Sequence, residues 1–139
     1  MSAPAGTTGF EYHRPAILDE ILDHRIKVIE ASAGTGKTFT LEHLVVELLR
    51  TGVASLDQIL VVTFTEKATA ELRARIRATV EAMLSASGLA GVERERLKDA
   101  LFSFHRSPIH TIHSFCHRML TELAFDSGMR FGIDLASGR

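Results

Sequence analysis

Eight residues, Ala31-Ser32-Ala33-Gly34-Thr35-Gly36-Lys37-Thr38, join the apolar run Ile26-Lys27-Val28-Ile29 to an amphipathic helix, and this junction restricts the chain to few folds. Two glycines one residue apart let backbone N–H groups turn into a common concavity, and the following helix adds its positive N-terminal end. The pattern is that of a phosphate-binding loop, with Ala31 standing where the usual pattern begins with Gly. In this reading residues 31–38 cradle nucleotide phosphates. Lys37 extends to the β- and γ-phosphates, and the Thr38 hydroxyl ligates a Mg²⁺ ion bridging phosphate oxygens. The simpler alternative, a Gly-rich strand-to-helix turn, is disfavoured because strand and helix signals flank the loop on both sides.

Downstream, Leu41, Leu44, Val45, Leu48 and Leu49 recur at helical spacing, and Thr51-Gly52 supplies a stop. Upstream, Pro15 opens a short helix in which Ile17, Leu18, Ile21 and Leu22 share a face. The run Ile59-Leu60-Val61-Val62 is continuous rather than alternating, as expected of a parallel strand covered on both faces. A helix follows with Ala68, Leu72, Ile76, Val80 and Met83 inward and Ser87-Gly88 at its end. The charged segment from Val92 to Phe104 reads as a helix with a solvated face. Pro108 then precedes a third strand, Ile109-His110-Thr111-Ile112, and a last helix from Ser114 to Phe125, stopped by Ser127-Gly128. Strand and helix alternate, so the expected class is α/β: a parallel sheet of about three strands flanked by helices. Right-handed crossovers place the loops after the three strands on one edge of the sheet.

Composition narrows the class without naming a ligand. The 139 residues have room for one modest core. Sixteen Lys and Arg against seventeen Asp and Glu leave no global charge for a polyanion, so any basic surface is local. Residues 1–9 lack the basic start and apolar stretch of a leader, and no run approaches membrane-spanning length. The single cysteine, Cys116, excludes an internal disulfide and suits a reducing compartment, so a cytoplasmic protein without membrane partners is expected. His113, Cys116 and His117 are close in sequence, but the Glu placement of a zinc hydrolase and a second ligand cluster are lacking.

Two further motifs follow the later strands: residues 63–72, from Thr63-Phe64-Thr65 to Glu71-Leu72, and residues 111–116, Thr111-Ile112-His113-Ser114-Phe115-Cys116. An AxxGxGKT loop, a TFTxxAxxEL strand end and a THSF-type corner in this order resemble the UvrD-like superfamily I DNA helicases. Ile29 to Thr38 and Ile112 to Leu120 resemble the RecB-type branch in particular, as do Arg14-Pro15, Ala124-Phe125 and Ser127-Gly128. The resemblance implies a partial RecA-like P-loop NTPase domain, an incomplete N-terminal portion of a helicase motor spanning residues 1–139. It implies ATP and Mg²⁺ as cofactors and Lys37 and Thr38 as the catalytic residues present. Its partners are single-stranded or duplex-end DNA and the other subunits of a RecBCD-like complex. By the same resemblance Thr63 and Thr65 contact the DNA backbone, Phe64 stacks on a base, and Thr111, His113 and Ser114 hydrogen-bond phosphates. The chemistry is suitable, because base stacking tolerates any sequence. Without the resemblance, Phe64 reads as a core aromatic at a strand end. Arg73 and Arg77 extend a basic track in one reading and are ordinary exposed arginines, beside a Glu71–Arg75 pair, in the other.

Turnover requires more than a cradle, namely an acidic residue for Mg²⁺, a group orienting water and an arginine finger. No Asp-Glu pair follows Thr38; Asp19-Glu20 lies upstream, in a helix, and Gln58 is the only glutamine. The expected function is therefore the ATP-binding portion of a 3′-to-5′ DNA helicase of double-strand-break repair, inactive in isolation. The rivals are a small-molecule kinase, which lacks a reason for the second motif, and a nucleotide-binding module without turnover.

Overall fold

The structure, a computed structural model, describes residues 12–22, 26, 28–30, 32, 34 and 36–126. Two short parallel strands, β1 (Val61–Thr63) and β2 (Ile109–Thr111), pair in the register Val61 with Ile109, Val62 with His110 and Thr63 with Thr111. Around them stand α1 (Ile17–Leu22), α2 (Lys37–Thr51), α3 (Glu66–Ser85), α4 (Gly91–Ser103) and α5 (Ile112–Asp126), with 3-10 turns at Leu56–Gln58 and Phe104–Arg106. Helices α3 and α4 form the crossover from β1 to β2, so the two strand ends arrive side by side at Thr63 and Thr111. The class is mixed α/β, with more helix than sheet.

Among the described residues the sheet has two strands. The expected strand over Ile26–Ile29 is not part of it: Ile26, Val28 and Ile29 carry no strand assignment, Lys27 lies outside the described residues, and Ile26 and Val28 are each 84% exposed. Apolar character favours burial, but a strand exists only where a neighbouring ladder accepts its hydrogen bonds. The run read as Ile59–Val62 also differs. The paired strand starts two residues later, and only Val61 is buried while Leu60 and Val62 face outward.

The core lies between α2, α3, α4 and the inner face of the strands, built from Val46, Leu49, Leu72, Ile76, Val80, Leu97 and Ile109 among others. Helix α3 matches its sequence pattern at Leu72, Ile76, Val80 and Met83, although Thr69 is buried beside them where Ala68 was expected. On α2 the arc is wider than expected. Val45, Val46 and Leu49 are buried, Leu41, Leu44 and Leu48 only partly, and Glu42, His43 and Glu47 are buried as well. Both α3 and α4 pack on α2, so more than one stripe is covered. Tyr12, in a stretch that sequence alone left without a role, stacks on His43 with ring centroids 5.5 Å apart and packs against the core. Burial raises its phenol to about 12, with the Glu47 carboxylate adding to the shift.

Helix α4 buries Leu97 and Ala100 and spends its charges on neighbouring helix ends. Arg94 donates to the Leu84 and Ala86 carbonyls at the end of α3, and Arg96 donates to the Arg50 and Thr51 carbonyls at the end of α2. Cations at these carbonyls satisfy orphan acceptors and complement the helix dipole. Glu93 pairs with Arg50, which also binds Glu47.

Glu47 is 2% exposed and is held between Arg50 at 2.8 Å and Arg14 at 2.8 Å. Burial opposes its ionisation, but hydrogen bonds from Arg50 and Arg14 outweigh burial and keep its pKa below the usual carboxylate range. His110 on β2 is lowered by burial first, then by Arg118 and Arg73. In both cases the unfolded chain takes up a proton at a pH where the folded chain does not, so stability falls as pH falls. The decline begins below about pH 6.5 through His110 and gains a second component below about pH 4.3 through Glu47. Thermal melts at stepped pH are expected to show both, and His110→Gln is expected to flatten the upper part alone. A wild-type melting temperature that rises between pH 7 and pH 5 would contradict this assignment.

Candidate nucleotide and nucleic-acid site

Ser32, Gly34, Gly36, Lys37 and Thr38 of the phosphate loop are described, whereas Ala31, Ala33 and Thr35 lie outside the described residues. Gly34 and Gly36 adopt φ of +82° and +91°, a left-handed conformation that costs a side-chain-bearing residue about 1 kcal/mol or more. A Cβ at Gly34 would meet nothing within 4 Å, so backbone conformation rather than crowding selects glycine there. Gly36 is the N-cap of α2, makes no side-chain cap bond, and its carbonyl accepts from the Thr40 amide at 2.8 Å. The first amides of α2 thus start directly after a loop with left-handed turns, with the Lys37 and Thr38 side chains exposed beside them. Backbone donors, one ammonium group and one hydroxyl are the donor set that a magnesium nucleotide requires. The residues present therefore fit that ligand: the amides and Lys37 would hold phosphate, and Thr38 would face the metal.

The first turn of α2 is braced from behind. His43 donates from Nδ1 to the Phe39 carbonyl at 2.9 Å, and its ring lies 4.0 Å, centroid to centroid, from the Phe39 ring. Arg14, through Asp19 on α1 and Glu47 on α2, ties the segment preceding the loop to the helix that follows it. No local sequence signal links Arg14 to a glutamate 33 positions away.

The second and third motifs sit at the ends of adjacent strands, where Thr63 pairs with Thr111. Phe64 projects from the turn after β1 and is 85% exposed, so the core-aromatic reading fails. Thr65 is exposed and caps α3, its hydroxyl accepting from the Ala68 amide at 3.1 Å. The Thr63 hydroxyl shares a 2.6 Å hydrogen bond with Thr69 and lies 3.2 Å from the Thr65 carbonyl, which shapes the turn that presents Phe64. On the other strand end, His113 and Ser114 are exposed in the first turn of α5. Thr111 is not: it is 4% exposed, donates to Glu66 at 3.0 Å and accepts from the Ser114 amide at 3.1 Å. Here its hydroxyl caps α5 and binds Glu66, and it is not presented on the surface beside His113 and Ser114. Arg73 also turns inward, donating to the Ile109 carbonyl at 2.6 Å, while Arg77 pairs with Glu81 and Arg75 with Glu71 on the outer face of α3.

The profile of the UvrD/REP helicase N-terminal domain matches residues 19–137, which is most of the chain. The chain belongs to the UvrD/REP helicase family. Similar proteins include the RecBCD enzyme subunit RecB of Mycolicibacterium smegmatis, 40% identical over 124 residues, which cover 78% of this chain and 11% of that protein. The RecB subunit of Haemophilus influenzae is 36% identical over 81% of this chain and 12% of its own length, and that of Escherichia coli is 39% identical over 76% and 11%. This UvrD/REP chain therefore spans about a tenth of the length of the relatives it matches. None of its described helices is long and apolar enough to cross a membrane.

Proposed function

We propose that this UvrD/REP chain is the nucleotide-binding N-terminal portion of a RecB-like motor, which hydrolyses ATP to move 3′ to 5′ along one DNA strand and unwind duplex ends during double-strand-break repair. Residues 31–38 take the phosphates, with Lys37 on the β- and γ-phosphates and Thr38 on Mg²⁺. When bound, the magnesium nucleotide supplies the free energy for movement. Phe64, His113 and Ser114, with Thr65 and the Thr63 turn behind them, form the strand-end surface for unpaired DNA. In the complete, RecA-like domain the run Ile26–Ile29, of which Ile26, Val28 and Ile29 are exposed here, joins the parallel sheet as a third strand, which brings the phosphate loop to the same edge as the DNA surface. The names of the relatives suggest the companion subunits of a RecBCD-like complex, and action on chromosomal DNA would take place in the cytoplasm. The chain alone lacks an Asp-Glu pair after Thr38 and is expected to bind without turnover.

The observation that supports this reading best is Phe64: a large aromatic 85% exposed on a turn held by three threonine hydroxyls. Exposing an apolar ring of that size leaves its area wet unless a partner covers it, and a nucleobase is a flat apolar partner of matching shape. Fluorescence anisotropy with labelled oligo(dT) is expected to show binding that weakens as salt rises, because phosphate contacts release counterions. Phe64→Ala is expected to weaken it about 5- to 150-fold, the equivalent of one stacked base, with little change in melting temperature. Salt-independent or absent binding would favour the small-molecule kinase reading.

A further inference from the structure

Glu66 has no part in the reading above, yet it sits between both halves of the DNA surface. It is the first residue of α3, two positions after Phe64 and next to the Thr65 cap. Its carboxylate accepts the Thr111 hydroxyl proton at 3.0 Å across 45 residues of sequence, and the same Thr111 oxygen accepts from the Ser114 amide at 3.1 Å. Glu66 follows the Phe64 turn directly along the backbone, and two hydrogen bonds through buried Thr111 then link it to the turn that carries His113 and Ser114. Farther along the same helix, Arg73 fastens α3 to the Ile109 carbonyl of β2. The motif expected to bind a polyanion thus contains an exposed anion, which Coulomb repulsion from phosphates alone would select against.

We propose that Glu66 is a positioning residue that sets the distance between the Phe64 contact and the His113–Ser114 contact, so that one strand of DNA meets both at once. The inference rests on the proposed DNA surface. Its physical basis is that two tethered contacts reinforce each other only when their separation is preset; otherwise binding must order the loops and the gain is lost. The charge serves that role, because a charged acceptor holds the Thr111 hydroxyl more tightly than a neutral one.

The test is oligo(dT) affinity of the full chain and its Glu66→Ala, Glu66→Gln and Thr111→Val variants, each checked for folding by thermal melt. Electrostatics alone predicts that both Glu66 variants bind more tightly, since each removes a negative charge. Positioning predicts the opposite order: Glu66→Ala weakens binding about 3- to 10-fold, the size of a typical coupling between contacting residues. Glu66→Gln, whose amide oxygen can still accept from Thr111, stays within about twofold of wild type, allowing for loss of the charged bond. Glu66→Ala with Thr111→Val together is expected to cost little more than either alone. The Phe64→Ala and His113→Ala losses, mutually dependent in the wild type, are expected to become additive once Glu66 is Ala. Tighter binding by Glu66→Ala, or a strictly additive double variant, overturns the inference even where wild-type binding and the Phe64 effect stand. Loss of all DNA binding by the wild type sinks the underlying surface instead, and the positioning role with it.

Discussion

Lys37→Ala is expected to remove half or more of the thermal stabilisation that magnesium ATP confers on this chain. A ligand at about 100 times its dissociation constant stabilises the folded state by roughly 2.7 kcal/mol, a shift easily read in a melt of so small a chain. Removing an ammonium group that bonds to phosphate costs about 1.5–3 kcal/mol, so affinity is expected to drop about 10- to 150-fold and the stabilisation at that concentration to shrink to between about a half and a tenth of its wild-type size. Lys37 is exposed in the first turn of α2, so the variant itself is expected to melt like the wild type without nucleotide. In a protein that carries the rest of the motor, turnover is expected to fall further, by about 10²–10³, because charge developing on the transferred phosphoryl group loses its preorganised partner. Equal nucleotide shifts in the wild type and Lys37→Ala would remove this lysine from the cradle.

Ile76→Ala is expected to be the most destabilising single change in the core. Ile76 is fully buried at the middle of α3 and packs in the cluster that includes Val46, Leu97 and Ile109. Truncation removes three side-chain carbons from water-free surroundings and leaves a cavity that helices held from both sides cannot close, for a cost of about 2–5 kcal/mol. Small domains have about 5–15 kcal/mol in total, so urea unfolding is expected to show a midpoint lowered by a large fraction, or no folded baseline. Val92, exposed on α4, is the control: Val92→Ala is expected to change stability by no more than about 0.5 kcal/mol. A loss for Ile76→Ala as small as for Val92→Ala would mean that the packing between α3 and β2 is not the core of this chain.

Much of the site was legible because its signals are local. The glycines of the phosphate loop declare themselves by a backbone conformation that only they adopt cheaply, and Gly34 and Gly36 are found there at φ of +82° and +91°. The strand-to-helix turns after β1 and β2 were legible as turns, whereas the caps that Thr65 and Thr111 supply to the next helices came from the structure. What could not be read were pairings across long stretches of sequence. Glu66 with Thr111, Arg14 with Glu47 and Arg96 with the end of α2 join positions 45, 33 and 45 apart, and no periodicity encodes such contacts. Charge on α4 looked like a solvated surface for the same reason: a capping arginine and an idle one are identical until the neighbouring helix is in place.

By itself, the amino-acid order determined the α/β class of the fold, the position of each helix within a few residues, and the family, and it supplied the candidate phosphate loop. These follow from backbone preferences and hydrophobic spacing, which act over a few residues at a time. Only the tertiary structure decided which strand-end residues face solvent and which hold the turns together. It exposed Phe64, buried Thr111, turned Arg73 inward, and, among the described residues, left Ile26, Val28 and Ile29 outside the two-stranded sheet. Exposure and strand pairing depend on what another part of the chain places alongside, and that is settled when the layers pack.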